Sequence, residues 1–298
     1  MEKDFNDLSL NVALNKIEEN PNDPDAWQTL GFVYHKVHKD MEKAQESFEK
    51  AIELNDEQES SWSALIEVCY EKEDYEKLIT LFEKVKDKYR GNFTIWNYAG
   101  RAYEFHYEDY ANAQKCYENA LKYHRDKASL WYRIAYIYEI YTKEYEKTVH
   151  AYQQCVSCDP DYYQAWGNMG YIYATFLGDK EKGLEYYLKS LELEPEYSYA
   201  LYNLGFLYNE MGDAGKSLEC LEKLISIEPD NFKAWSSLGV LYGNNYDDMT
   251  KAEECFKRSV EINSHYADGW NLLGILYERV HNDPDKAGEY FQKAKDNS

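Results

Sequence analysis

The sequence predicts an all-α fold, an α-solenoid in which eight antiparallel helix pairs follow one another along the chain. Three observations predict it. A tryptophan position recurs at nearly constant spacing, apolar residues follow it with helical periodicity, and residues that break helices are few. The 298 residues include only 15 glycines and 6 prolines, which suits long helices better than many short strands.

The recurring position is occupied by tryptophan seven times and by leucine once, at Trp27, Trp62, Trp96, Trp131, Trp166, Leu201, Trp235 and Trp270. Successive members lie 34 or 35 residues apart. A fixed period of this length indicates stacked repeats, each a small supersecondary unit. We therefore expect a capping segment over residues 1–23 and eight repeats over residues 24–58, 59–92, 93–127, 128–162, 163–197, 198–231, 232–266 and 267–298.

Each repeat carries two apolar stripes. The first has the spacing i, i+3, i+4, i+7 of one helix face, as in Trp27, Leu30, Gly31 and Tyr34. The second follows a polar turn, as in Ala44, Phe48 and Ala51. Before the next repeat stands a breaker such as Asp159-Pro160, because proline cannot continue the hydrogen-bond ladder of a helix. The pattern predicts a helix A and a helix B in every repeat.

The resulting pattern W-x2-L-G-x2-Y…A-x3-F…P resembles the tetratricopeptide-repeat (TPR) family over about residues 24–298. The resemblance implies that a small residue in helix A lets helix B approach closely. Glycine occupies that position at 31, 100, 170, 205, 239 and 274, and alanine at 135. Repeat two has Ile66 there, so we expect a wider crossing of its two helices.

One deviation from the family repeat of 34 residues is systematic. Most repeats have an extra residue in the turn between helices A and B, as over residues 38–43, whereas repeats two and six keep the shorter form around Asp74 and Asp213. Because the extra residue falls between the two apolar stripes, it should bulge the turn without shifting either stripe.

The two ends differ. Residues of about 6–19, with Leu8, Leu10, Val12, Ala13 and Ile17, predict a helix that covers the first repeat. Phe291 and Ala294 belong to a final helix B with no polar cap after it. End repeats of a solenoid expose an apolar face, so either the chain continues or this face docks against a partner.

Composition limits the partners. The formal charge is −22, with 55 acidic and 33 basic residues. Such a field repels nucleic acid and anionic lipid and favours basic protein segments, although solvated helix faces explain it equally well. No run approaches the about 20 apolar residues of a membrane helix, and the N-terminus lacks signal-peptide features. The six cysteines are scattered, which indicates a reduced, cytoplasmic location.

No residue pattern indicates catalysis, a metal or a cofactor. Cys155 and Cys158 form a Cys-x-x-Cys motif at the end of a helix B beside Asp159, where the helix dipole and a carboxylate disfavour a thiolate. The seven histidines have no metal-ligand spacing, and the common catalytic motifs are absent. We expect the tryptophans to be core residues rather than a base-stacking platform. The sequence predicts a protein that is not an enzyme.

The resemblance implies that helices A line an inner groove. Counted from the tryptophan, the positions −2, +1, +2, +5 and +8 should face it. The predicted groove residues are Asn97, Arg101, Tyr132, Arg133, Tyr136, Asn168, Tyr171, Tyr199, Tyr202, Asn203 and Phe206. Asn168 and Asn203 resemble the asparagine ladder by which some TPR proteins hold a peptide backbone, since an amide both donates and accepts. Phe32, Tyr136, Tyr171 and Phe206 form an aromatic track at +5.

Two functions stay open. The first is an adaptor whose groove binds a protein or peptide segment, extended or helical. The second is an assembly subunit that self-associates or docks through its C-terminal end. The carboxylate clamp of TPR co-chaperones is incomplete, because Thr94, Tyr98 and Ser129 stand where cations or amides would be needed. Scattered surface polarity also remains an explanation of the groove residues.

Overall fold

The computed structural model describes residues 2–297, with side chains from residue 8 onward. This range contains seventeen α-helices and no strand. They are α1 Glu2–Glu19, α2 Pro24–Phe32, α3 Met41–Leu54, α4 Glu59–Glu71, α5 Tyr75–Val85, α6 Phe93–Phe105, α7 Tyr110–Leu121, α8 Ala128–Ile137, α9 Tyr145–Cys158, α10 Tyr163–Thr175, α11 Lys180–Leu193, α12 Ser198–Glu210, α13 Ala214–Ile227, α14 Phe232–Asn245, α15 Met249–Ile262, α16 Ala267–Arg279 and α17 Pro284–Asp296. π-Helical turns extend α2 and α8 over Val33–His38 and Tyr138–Thr142.

The chain divides into two compact units, one ending at Cys158 and the other beginning at Asp159. The first unit holds α1 and the four pairs α2/α3, α4/α5, α6/α7 and α8/α9. The second holds α10/α11, α12/α13, α14/α15 and α16/α17. Helix α1 packs on α2 and buries Ala13 completely, while Leu8 and Val12 stay exposed. The predicted solenoid of eight helix pairs behind a capping helix is confirmed.

Glycines set the separation of the two helices within a pair. A Cβ atom on Gly31 would lie 2.6 Å from the ring of Phe48, and one on Gly239 would lie 2.5 Å from the ring of Phe256. No real Cβ contact is that short, so the aromatic ring of helix B occupies the space of the missing side chain. In repeat two Ile66 occupies this position and is completely buried; the wider crossing of α4 and α5 stays a prediction.

The turn between helices A and B has two fixed ends. The residue seven positions after the tryptophan accepts a hydrogen bond at its backbone carbonyl group. The donor is the backbone N–H of the residue that caps helix B. In a long repeat Asp40 N donates to Tyr34 O at 3.0 Å, and in a short one Asp74 N donates to Cys69 O at 2.9 Å. The residue before each cap is left-handed, as at Lys39 with φ 56°. The extra residue is therefore looped out between the same two groups, as predicted.

An aspartate caps most helices B. Its side chain accepts a hydrogen bond from the backbone N–H three residues later, as Asp248 does from Lys251 at 3.0 Å. In the equivalent cap of α13, this backbone hydrogen bond is the main cause that lowers the pKa of Asp213. The lysine then lies over the tyrosine that ends helix A, as Lys251 lies 4.9 Å from the ring centre of Tyr242. The cap of α15 thus links a backbone donor, a cation and a ring, whereas the cap of α7 has Asn112 in place of the lysine.

The tryptophans do more than fill the core. Six of them donate their indole N–H to the carbonyl group six residues earlier, in the linker after the preceding helix, as Trp235 does to Pro229 at 2.9 Å. Only Trp62 and Trp96 are buried; the other five are half-buried. The prediction of core residues was too simple, because one edge of the indole must reach a linker at the surface.

Glu253 in α15 joins the last two pairs of the second unit. Its carboxylate accepts hydrogen bonds from Lys257 at 2.7 Å, from Tyr277 at 2.6 Å and from His281 at 2.9 Å. Burial alone would raise the pKa of Glu253, but the hydrogen bonds of Lys257, Tyr277 and His281 lower it to about 2.

Among residues 2–297, no helix has the length and apolar character needed to span a membrane.

Candidate binding surface

Two predicted groove arginines lie in the first unit, and Arg133 is engaged with a buried carboxylate. Its Nη1 lies 3.5 Å from Glu104 Oε1, and the hydroxyl of Tyr117 donates to Glu104 Oε2 at 2.7 Å. Burial raises the pKa of Glu104, while Tyr117 and Arg133 oppose that rise. Arg133 therefore neutralises a carboxylate of its own chain and is only in part available to a ligand.

Arg101 is held in a different way. Its guanidinium group lies 4.6 Å from the ring centre of Tyr70 and 5.7 Å from that of Tyr98. Its buried Nε has no acceptor among residues 8–297. Stacking on tyrosine fixes the plane of the guanidinium without using its N–H groups.

The other predicted residues of the first unit are half-buried. The ring of Tyr132 lies 5.5 Å from that of Tyr152. Tyr136 is half-buried, and burial raises its pKa. Asn97 lies half-buried on α6. Arg101 and Arg133 both act on the charge of Glu104, and Arg133 also acts on the hydroxyl of Tyr136.

A cluster of ionic groups near the start of the chain was missed. Lys36 Nζ lies 3.0 Å from Glu67 Oε1, the hydroxyl of Tyr98 donates to the same oxygen at 3.2 Å, and the buried His35 bonds Glu71 at 2.9 Å. Ligand atoms of His35, Glu67 and Glu71 lie within 4.8 Å of one another and could hold a metal ion. These residues come from consecutive repeats, so a search for metal spacing along the sequence could not find them. Lys36 forms an ion pair with Glu67, one of these three residues.

In the second unit the predicted asparagines and tyrosines come together. The rings of Tyr171 and Tyr199 lie 6.2 Å apart, and Asn203 donates its side-chain N–H to Tyr199 O at 2.8 Å. Asn168 is only 9% exposed and is engaged within the chain. The two asparagines occupy equivalent positions but differ in exposure, and Asn203 is the more accessible one.

An apolar row runs along the second unit at the +5 position of its four helices A. Its members are Tyr171, Phe206, Val240 and Ile275, and we call them the apolar row. Phe206 is 60% exposed and Ile275 is 40% exposed. Sequence reasoning identified the first two. The same count from Trp235 also placed Val240 in the groove, whereas Ile275, which the count from Trp270 gives, was not named.

Two cavities adjoin the apolar row. One of about 250 Å³ lies against Phe206 and Val240, and one of about 350 Å³ lies against Val240 and Ile275; Leu272 lines both. Arg279 is the one charged residue among those lining these two cavities. Hydroxyl groups flank the row, with Ser237 Oγ 3.5 Å from the hydroxyl of Tyr202. The face is apolar in the middle and polar but uncharged at its edge.

The Cys-x-x-Cys motif lies where the sequence placed it, in the last turn of α9. Cys155 is buried and Cys158 is exposed. Burial raises the pKa of the Cys158 thiol, and Asp126 raises it further. Cys158 Sγ lies 3.3 Å from Arg125 O. The surroundings of Cys158 favour the neutral thiol over the reactive thiolate.

Comparison with known proteins agrees with this architecture. Residues 24–58, 128–162 and 163–197 match one profile described as a tetratricopeptide repeat, and residues 186–219 match a second. No curated protein is significantly similar to the sequence.

Solved structures share the fold at low sequence identity. The C-terminal part of a TPR repeat-containing protein from Cytophaga hutchinsonii is 17% identical, with a TM-score of 0.63 over 79% of this chain and 98% of that one. PilW, a type IV pilus biogenesis factor, is 22% identical, with a TM-score of 0.60 over 69% of this chain and 93% of PilW. A chain of the APC/C hetero-tetramer Cut9–Hcn1 is 14% identical, with a TM-score of 0.59 over 95% of this chain and 54% of that one. The chain therefore carries tetratricopeptide repeats over the matched residues, and its fold is that of solved TPR structures.

Proposed function

We propose that this chain is a non-catalytic scaffold that binds a segment of a partner protein on the apolar row of its second unit. The observation that carries the proposal is the exposure of Phe206 and Ile275 beside two cavities. Single exposed apolar residues are ordinary, but a row of them along adjoining cavities is typical of an interaction site.

The surroundings of the row favour a polypeptide ligand. Gly243 lines the cavity beside Val240 and Ile275, and the lack of a side chain there leaves room for a second chain. The Asn203 amide can pair with a peptide group whatever its side chain. The second unit has 25 acidic and 13 basic residues, so an apolar segment with basic flanks would be attracted most strongly.

The similar structures support a protein partner in general terms. One of them belongs to the hetero-tetramer Cut9–Hcn1, which is an assembly of proteins. The fold alone fixes no partner, so the choice of ligand rests on the residues of the row.

The test begins with a displayed library of random peptides selected against the full chain. Enriched peptides are then titrated by fluorescence polarisation with the wild type and with Phe206→Ala and Ile275→Ala. Central contacts of an interface cost more than about 1 kcal/mol when truncated, so each variant should bind at least about fivefold more weakly. Leu188→Ala is the matched control, because Leu188 is also exposed, at 46%, but lies on helix α11. Equal affinity of all four proteins would contradict the proposal.

The asparagines give a second test of the same surface. Asn203→Ala should weaken peptide binding without lowering thermal stability, since Asn203 is half-buried and bonds only its own helix. Asn168→Ala should lower stability, since the buried amide is engaged within the chain. Equal losses of stability in both variants would show that the two amides are structural.

The alternative, self-assembly through the last helix pair, has less support. A Cβ atom on Gly274 would lie 2.5 Å from the ring of Phe291, so Phe291 is already used within its own pair. Light scattering at high protein concentration tests this alternative, since a strict monomer would exclude it.

A further inference from the structure

A cleft in the first unit lies between two successive helices B, α5 and α7, above helix A α6. Its volume is about 350 Å³. Phe82, Trp96, Tyr103 and Cys116 supply its apolar walls. Helix α5, with eleven residues, is the shortest helix B within residues 2–297. Helix α5 ends at Val85, and the residues that follow form turns beside the cleft.

Four basic side chains line this cleft: Lys86, Arg90, Lys115 and Lys122. Two acidic residues, Glu83 and Asp87, pair with Lys86 and Arg90 along the same stretch of chain. The cleft therefore has a local excess of two positive charges in a chain whose formal charge is −22.

The two lysines of α7 account for this excess. Lys115 bonds the side-chain oxygen of Asn112 at 3.3 Å, and Lys122 bonds that of Asn119 at 2.7 Å. Both bonds are to neutral amides, and no carboxylate within residues 8–297 forms an ion pair with either lysine. Tyr103 lines the cleft as well, and its hydroxyl, protonated at neutral pH like that of any tyrosine, contributes a further donor.

The second unit contains the equivalent cleft with a different charge. That cavity, of about 390 Å³, lies above α14 and is lined by Trp235, Tyr242 and Cys255, which correspond to Trp96, Tyr103 and Cys116. Glu254 stands there in the position of Lys115, and the charged residues that line it, Glu222, Lys251, Glu254 and Arg258, sum to zero. The cavity thus recurs in both units, whereas the excess of positive charge in the cleft between α5 and α7 is absent from its counterpart above α14.

We propose that the cleft between α5 and α7 binds a small organic phosphate, with the phosphate group between Lys115 and Lys122 and the organic part against Trp96 and Tyr103. A phosphate monoester carries close to two negative charges at neutral pH, which matches the local excess of two cations. Lysine ammonium groups bind phosphate as point charges, and the aromatic wall accepts an apolar body. A volume of about 350 Å³ exceeds that of inorganic phosphate and suits a ligand of this kind.

The test uses phenyl phosphate as the probe and the full chain labelled with ¹⁵N. Seven indole N–H signals are expected, one for each tryptophan, and Trp96→Phe and Trp235→Phe assign two of them. Phenyl phosphate should move the Trp96 signal in a saturable way and leave the Trp235 signal in place. Phenol, which lacks the phosphate, should cause no saturable shift. Lys115→Glu, which reproduces the residue of the second unit, and Lys122→Ala should each weaken binding about tenfold or more.

Lys50→Ala is the control for charge alone, because Lys50 is an exposed lysine of the same unit paired with Glu53 outside the cleft. It should bind phenyl phosphate as the wild type does. Circular dichroism confirms that each variant is folded. The proposal is overturned if Trp96 does not respond to millimolar phenyl phosphate, if Trp96 and Trp235 respond alike, or if folded Lys115→Glu and Lys122→Ala bind as the wild type does.

Discussion

Gly239 and Gly243 lie one turn apart in α14 and face α15 at different distances. A Cβ atom on Gly239 would lie 2.5 Å from Phe256 Cε1, whereas one on Gly243 would lie 3.7 Å from Ala252 Cβ. Alanine is favoured over glycine within a helix by about 1 kcal/mol at either site. Overpacking of a well-packed core costs about 1–3 kcal/mol. Gly239→Ala should therefore be less stable than Gly243→Ala by about 1–3 kcal/mol.

Urea denaturation followed by circular dichroism measures the difference. The intrinsic helix preference largely cancels between the two variants, so the remaining difference reports the contact with Phe256. If Gly239→Ala were as stable as Gly243→Ala, the argument that glycine sets the helix separation would be refuted. Phe256→Leu should relieve part of the cost, because the natural pair Gly205 and Leu221 has a longer contact of 3.1 Å. The double-mutant cycle should show favourable coupling between the two substitutions.

Three further outcomes follow from single contacts. Asp248→Ala removes the cap of α15 and should cost about 1 kcal/mol in thermal unfolding, whereas Asp248→Asn should retain most of it. Glu253 has a folded-state pKa of about 2, below the usual 4.5 of glutamate. Its contribution to stability is therefore complete above pH 4.5 and is lost as the pH falls towards 2. The difference in melting temperature between the wild type and Glu253→Gln should shrink over this range, and a constant difference would contradict the assignment. Tyr117→Phe removes the donor to the buried Glu104 and should lower the free energy of unfolding by about 1–3 kcal/mol in urea titrations, and an unchanged midpoint would argue against that bond.

Periodicity carried the prediction of the fold because each repeat makes the same local contacts. The spacing of the tryptophans and the glycine beside each one were enough to predict the helix pairs and their close approach at Gly31 or Gly239.

The binding surface was less predictable because burial depends on neighbours from other repeats. Asn168 and Asn203 are equivalent in sequence, yet only Asn168 is buried. Arg133 faces Glu104 of the preceding repeat, which no pattern within one repeat shows. The charge of the cleft between α5 and α7 comes from side chains of two successive repeats, which no pattern within one repeat shows. The exposure of the half-buried tryptophans was equally hard to predict, because their bonds to linker carbonyl groups depend on the path of the linker.

The turn between helices A and B has a consequence for how such chains can be rebuilt. Because the same carbonyl and the same capping N–H close both the shorter and the longer turn, a residue can be inserted or deleted there while both flanking helices keep their alignment. Repeats of unequal length are consequently interchangeable units. Recombination between them, by a genetic event or by design, needs no matching of lengths at this joint. The turn between helices A and B is also a place where a foreign loop can be grafted on any repeat without redesign of the helices beside it.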